Sequence, residues 1–296
     1  MLVEKITSRQ NPLVKRFRRV RAMGERQHIF LEGVRLIEDA IQAGAHFESV
    51  AFTSELETNE RGGALLDLLL RSIQCRGALV SKQVMEAIVD TQAPQGVAAL
   101  VTRPYLELDD MFEADPDLLV IADELQDPGN LGAIIRTAEA AGASGLITTR
   151  YTVDPFNEKA IRASMGSALR LPITTGASRL DVTTRCKEHK VRIIASRAPN
   201  TRTQEVAESA EDRVTSSAYY DLDMTVPTAL ILGREATGVS ELWETNADAF
   251  AHIPMSDGVE SLNVAAAAAI MLYEAARQRG FEFKPGKSLR SEEVRP

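Results

Sequence analysis

Two patterns of apolar and polar positions divide this chain of 296 residues. Up to about residue 105 the apolar clusters are short and alternate between strand and helix spacing. A basic helix over 12–22 precedes HIFLEGVRLIEDAIQAG (28–44), a short strand running into a helix that stops at Gly44. Strands at 49–53 and 77–80, helices at 64–71 and 81–89, and a closing strand in 95–101 complete a small α/β unit. Pro104 and the acidic stretch 107–117 then predict a linker. From 118 onward the elements are longer and strictly alternate. Strands are predicted at 118–122, 145–149, 191–196, 228–232 and 249–253, and helices at 131–141, 155–168, 179–189, 239–246 and 262–279. Residues 118–122 are apolar throughout, as in a strand covered on both faces. Such alternation predicts a parallel sheet with helices on both sides. The expected organisation is therefore a unit at 1–105, a linker at 106–117, a larger unit at 118–281 and a disordered tail at 282–296.

Composition narrows the class. Hydrophobic residues make up 44% and charged residues 26%, ordinary values for a globular chain with a real core. The longest apolar run, 264–273, is far short of the roughly 20 residues a membrane span needs. The start of the chain carries Glu4 and Lys5 and no apolar core, so no signal peptide is read there. Cys75 and Cys186 are far apart, and His28, His46, His189 and His252 show no metal-ligand spacing. This predicts no metal site and fits a reducing cytoplasm.

Charge changes the picture more. The chain carries a net −8, yet between Lys5 and Arg26 eight basic residues face one acid, Glu25. That segment holds +7 and leaves −15 for the remainder. A local basic patch on an acidic protein fits a phosphate contact aimed at one site and also fits a solvated helix face. The candidate phosphate-binding residues are Arg9, Lys15, Arg16, Arg18, Arg19 and Arg21.

Ligands of open α/β sheets bind beyond the carboxyl ends of the strands, and three such ends carry unusual loops. The first begins DELQDPGNLGAIIRTAEAAGA (123–143). Its glycines permit close approach of backbone to a ligand, Asn130 stands where a helix N-cap belongs, and Gly142 stands where a C′ glycine belongs. Leu131, Ile134, Ile135, Ala138 and Ala141 form the apolar stripe. Arg136 lies off it, at the spacing for a pair with Glu139. The second loop is LILGREATGVS (230–240), with Glu235 between two glycines. The third is HIPMSDGVESLNVAAAAAIMLYEAARQ (252–278), where Ser261 suits an N-cap and Asn263 is a poor helix former at the head of an apolar helix. Residues 264–272 are apolar all round, which predicts burial in the core or at a subunit interface. Neither a dinucleotide fingerprint nor a P-loop is present.

In this order, P-G-N-L-G-x-x-x-R-T, L-G-x-E-x-x-G-V-S and I-P-M-x-x-x-x-x-S-L-N-V-A resemble the three signature motifs of the SpoU/TrmH family of RNA methyltransferases. DPFNEKAIRASMGSALRLPI (154–173) is similar to the stretch that family carries between its first two motifs. FLEGVRLIEDAI and QGVAALV resemble the ribosomal-protein L30e-like substrate-binding domain often fused ahead of it. The resemblance covers about 270 residues.

It implies a C-terminal SPOUT domain with a parallel sheet and a trefoil knot, preceded by a smaller L30e-like α/β domain. It implies a homodimer that methylates ribose 2′-hydroxyls of structured RNA with S-adenosylmethionine, 23S ribosomal RNA being favoured over transfer RNA. Matched position by position, the catalytic polar set is Asn130, Arg136, Glu235, Ser261 and Asn263. The implied cofactor contacts are Ala195, Ser196, Leu232, Gly233, Ile253, Met255 and Leu262. Two features depart from the family. Arg234 stands where Asn is common and offers a further phosphate contact, and the charged stretch between 198 and 218 is long. That stretch is expected either to lid the cofactor or to loop into solvent. Competing classes are a non-catalytic RNA-binding protein, which has no need of all five polar positions, and an oxidoreductase, which lacks its glycine fingerprint.

Overall fold

The computed structural model describes residues 2–89, 93–198, 216–234 and 239–282. Its contacts divide these into two compact units. The first takes 2–104 together with Phe156–Arg162, and the second takes the remainder.

In the first unit, β1 (Leu2–Ile6), β2 (His28–Glu32), β3 (Phe47–Phe52), β4 (Arg76–Val80) and β5 (Val97–Thr102) form a mixed sheet in the order β1-β4-β3-β5-β2. Four helices accompany it: α1 (Pro12–Met23), α2 (Val34–Gln42), α3 (Glu60–Ser72) and α4 (Lys82–Ile88). Helix α1 begins where Asn11 caps it and Pro12 presets the first turn, and it buries Leu13, Val14, Phe17 and Val20. The phrases FLEG and QGVAALV meet because β2 runs antiparallel to β5, Phe30 opposite Leu100. Gly33 turns from β2 into α2 at a φ of +99°. A Cβ there would meet Gln95 Oε1 at 3.0 Å, the atom that accepts from the Val34 amide at 2.9 Å. The glycine thus lets a distant glutamine cap the helix.

The second unit holds seven strands, all parallel: β6 (Leu118–Ala122), β7 (Gly145–Thr149), β8 (Ile173–Ala177), β9 (Arg192–Ser196), β10 (Ser216–Ala218), β11 (Thr228–Leu232) and β12 (Ala249–His252). Their order is β10-β12-β9-β11-β6-β7-β8. Every residue of β6, β7 and β11 is buried, so the sheet is covered on both faces, as continuous apolar runs require. The helices are α5 (Leu108–Glu113), α6 (Pro128–Ala140), α7 (Glu158–Ser164, assigned to the first unit through 162), α8 (Arg179–Glu188), α9 (Glu241–Asn246) and α10 (Val264–Gln278). Trp243, Phe112, Cys186 and Phe250 pack with the strands in one core cluster.

Two expectations change here. The stretch 106–117 is more than a connector: it carries α5, whose Met111 and Phe112 are buried in the second unit's core. The helix expected over 155–168 is broken, because Met165 and Gly166 both take positive φ and a 3-10 turn, Ser167–Leu169, follows. The expected tail at 282–296 lies outside the described residues beyond 282, as do 199–215 of the long charged stretch. Ser216–Ala218 of that stretch pairs with β12 at the sheet edge. The loops between β9 and β12, through which the implied knot would be tied, include residues 199–215 and 235–238, which lie outside the described set.

Candidate active site

Five neighbouring strands, β12, β9, β11, β6 and β7, run parallel, so the loops that leave their carboxyl ends rim one edge of the sheet. The three motif loops follow β6, β11 and β12 and therefore share that edge. Its strand ends carry the sequence-predicted cofactor positions. Ala195 lies opposite Ile231 on one side and Phe250 on the other, and Leu232 lies opposite Ala122. Ala195, Leu232, Gly233 and Ile253 are buried, Ser196 and Met255 are half-buried, and Leu262 is exposed. These small or apolar positions bring no charge to the rim. They suit a flat, uncharged heterocycle recognised by backbone groups between apolar side chains, and the adenine end of S-adenosylmethionine fits that donor set.

The first and third motifs meet directly. Asn263 Nδ2 donates to Asn130 Oδ1 at 3.1 Å, across 133 residues of sequence. Asn263 Oδ1 meanwhile accepts from the amides of Ala265 and Ala266, so Asn263, and not Ser261, is the N-cap of α10. Ser261 is exposed in the extended approach to that helix. The carboxamide of Asn263 is held at both ends, which fixes the orientation of Asn130.

Asn130 is not a cap either. Helix α6 starts at Pro128, whose fixed φ and missing N–H suit the first helical position, and the residue before it becomes the cap. Asp127 Oδ1 accepts from the Asn130 amide at 2.8 Å. Asn130 is left in the first turn with its side chain directed at the third motif. At the other end Gly142, at a φ of +75°, closes α6 as expected, and all five stripe residues are buried.

Arg136 is exposed on α6 and has no ion pair among the described residues. Its expected partner, Glu139, is taken by Arg170 through two hydrogen bonds of 2.7 and 2.9 Å. That contact also holds the Glu139 carboxyl below the usual range, against the opposing effect of burial, which is the larger single influence. An exposed arginine with no ion pair among the described residues, six residues beyond Asn130 on the same helix, is suited to an anionic ligand.

The loop after β6 is held by a charge cluster that sequence reasoning missed. Buried Asp123 accepts from Arg179 Nε at 2.7 Å and from Thr149 Oγ1 at 2.8 Å. Glu124 pairs with both Arg179 and Arg234, the latter at 2.6 Å. The Glu124 backbone sits at a φ of +56°, and its amide donates to Thr149 Oγ1 and Thr152 Oγ1. Arg234 therefore does not stand open as a phosphate contact. It ties the second-motif loop to the first. Glu235, the next residue, lies outside the described residues.

Among the basic residues of the first unit, the geometry separates two groups. Arg16 Nε and Nη2 donate to Glu48 at 2.6 and 2.7 Å, and Arg16 also faces Glu25. The Arg16 hydrogen bonds hold the Glu48 carboxyl below the usual range. Arg19 pairs with Glu25 at 2.8 Å. Both guanidiniums are thus already paired with carboxylates in the free protein. Arg9 and Arg21 donate, among the described residues, to the neutral carbonyls of Gln83 and Ile88. Lys15 and Arg18 are exposed on α1, with no ion pair among the described residues. Burial pushes the Cys186 thiol up to about 12 and raises that of Cys75, which disfavours the thiolate at both. Among the described residues no helix is long and apolar enough to cross a membrane, and no group of His, Cys, Asp and Glu could hold a metal ion.

Comparison with known proteins agrees with this arrangement. Residues 117–273 match the model of the SpoU rRNA methylase family, and residues 5–99 match that of the MRM3-like substrate binding domain. The chain is 34% identical to an uncharacterized tRNA/rRNA methyltransferase of Synechocystis, over 96% of this chain and 97% of that one. It is also 34% identical to the 23S rRNA (uridine(2479)-2′-O)-methyltransferase of Streptomyces viridochromogenes, over 83% and 82%. The crystal structure of an AdoMet-bound rRNA methyltransferase from Sinorhizobium meliloti superposes with a TM-score of 0.76 at 30% identity, covering 93% of this chain and 98% of that one. With more than half its length matched by one family model, the chain belongs to the SpoU rRNA methylase family.

Proposed function

We propose that this protein transfers the methyl group of S-adenosylmethionine to a ribose 2′-hydroxyl of 23S ribosomal RNA. The observation that carries this reading is the Asn263–Asn130 hydrogen bond, which joins the first and third motif loops; Arg136, six residues further along α6, is exposed and has no ion pair among the described residues. The ribosomal substrate follows the relatives, whose names specify 2′-O-methylation of uridine or guanosine in 23S rRNA. Transfer RNA is the alternative substrate.

Bound at the ends of β9, β11 and β12, S-adenosylmethionine supplies a methyl already activated by a sulfonium. The protein's work is to hold the ribose oxygen in line with that carbon and to exclude water. Asn130, oriented by Asn263, and Ser261 position the ribose. Arg136 holds the adjoining phosphate and stabilises negative charge developing on the 2′-oxygen. A guanidinium does not give up its proton near neutral pH, so Arg136 acts as a clamp and not as the base; the hydroxyl proton passes to solvent as the oxygen–carbon bond forms and the carbon–sulfur bond breaks. Arg234 anchors the second-motif loop to Glu124, and Glu235, a member of the family's polar set, lies outside the described residues. The first unit presents Lys15, Arg18, Arg9 and Arg21 to phosphates.

The working form is a cytoplasmic homodimer. Support comes from α10: Ala268, Met271, Leu272 and Ala275 are buried within the chain, but Ala266 and Tyr273 are exposed, with Ile270 half-buried between them on the same face. The all-apolar helix thus has more apolar surface than its own unit covers. Changing both Ile270 and Tyr273 to Arg is expected to give a folded monomer in light scattering, with an unchanged thermal transition and little activity. A monomer with full turnover would show that the site needs no second chain. Ala268 is unsuited to this test because it is fully buried within its own chain.

A further inference from the structure

Between β7 and α7 the chain makes a turn that is expensive in two ways. Tyr151 takes a φ of +67°, a conformation that disfavours bulky side chains and that glycine adopts freely. The residue is also 77% exposed, so packing does not compensate the strain. Phe281, another aromatic at positive φ, differs: its amide closes the end of α10 on the Ala276 carbonyl, an ordinary place for such a residue. The turn at Tyr151 is held from several sides. Thr152 Oγ1 donates to the Ala122 carbonyl at 3.0 Å, Thr149 Oγ1 is bound to Asp123, and Gln126 Nε2 donates to the Tyr151 carbonyl. Gln126 belongs to the loop that leads into α6 and Asn130, so Tyr151 stands on the rim of the same site. Its neighbour Arg150 is exposed and has no ion pair among the described residues, although the chain as a whole is acidic.

Strain that the surroundings over-determine, spent on a side chain that buries nothing, marks a group selected for a ligand. An open aromatic face beside an uncompensated guanidinium is the pairing that receives a nucleobase and its phosphate. We infer that Tyr151 is a stacking platform for a nucleobase of the RNA substrate, with Arg150 taking the adjoining phosphate. This rests on the RNA methyltransferase reading above.

The test uses full-length protein, S-adenosylmethionine and 23S rRNA transcribed in vitro. Tyr151→Phe is expected to keep the KM for RNA. Tyr151→Leu and Tyr151→Gly are expected to raise it between about fivefold and a hundredfold, the range for loss of one stacked base. The glycine variant relieves the backbone, so its Tm is expected to be no lower than that of the parent, and affinity for S-adenosylmethionine should not change in any variant. Arg150→Ala should flatten the log–log salt dependence of RNA binding by about 1. Unchanged KM in both the leucine and the glycine variants, with the parent active, overturns the assignment. So does loss of the dimer in the glycine variant, which would make Tyr151 a protein contact. A parent protein that binds S-adenosylmethionine and leaves the transcript unmethylated defeats the substrate reading first, and the stacking role with it.

Discussion

Arg136→Ala is expected to lower the single-turnover rate of methyl transfer by about a hundred- to a thousandfold, the usual effect of removing one donor from a developing negative charge. Affinity for S-adenosylmethionine should be unaffected, because the positions proposed to hold it lie at the ends of β9, β11 and β12. Stability should also be close to that of the parent, since Arg136 is exposed and Glu139 is already satisfied by Arg170. Arg136→Lys separates the two halves of the proposed role. Lysine keeps a charge for the phosphate but loses the planar fork, so a partial rate with nearly normal RNA affinity is expected. If the lysine variant lost activity only through weaker RNA binding, with single-turnover chemistry intact, the clamp on the 2′-oxygen would be the wrong role.

The second large effect concerns salt. Replacing both Lys15 and Arg18 with alanine is expected to flatten the log–log salt dependence of RNA binding by up to about 2, and to weaken binding of most structured RNAs alike. Arg16→Ala should behave in the opposite way. Its charge is already taken by Glu48 and Glu25, so the slope should hardly move. The first unit should instead lose stability on the order of 1 kcal/mol, since a partly buried Glu48 loses its charged donor. Equal slopes for the parent and the Lys15/Arg18 variant would leave α1 as a solvated helix and remove it from the RNA contact.

These contrasts show what the sequence revealed and where it stopped. The buried strands of the second unit were legible because a parallel sheet covered on both faces writes itself as five-residue apolar runs, LLVIA and TALIL among them. The strands that escaped notice carry no such run. Strand β1 is an exposed edge, LVEKI, β8 reads ITTGA with only Ile173 and Thr174 buried, and β10 is only three residues long. Helix α5 was hidden because its two buried residues, Met111 and Phe112, sit among acids. Order along the chain located the three motif loops, since each follows a strand. Caps were harder, as Asp127 and Asn130 compete for one helix and Ser261 and Asn263 for another. Proline at the first position decides the former and the backbone path the latter. Ion pairing was the least legible feature. Arg16 and Glu48 lie 32 residues apart, Arg179 and Asp123 lie 56 apart, and no local spacing announces either pair. Counting basic residues therefore overstated the charge available for phosphate.

Ribose methylation of 23S rRNA is tested on RNA from the host strain lacking this gene. Purified protein and S-adenosylmethionine are added to that RNA, and 2′-O-methyl positions are mapped before and after. One new 2′-O-methylated nucleotide is expected in 23S rRNA, absent with Arg136→Ala and present in RNA from the unaltered strain. No new mark in 23S rRNA, or a new mark confined to transfer RNA, would contradict it.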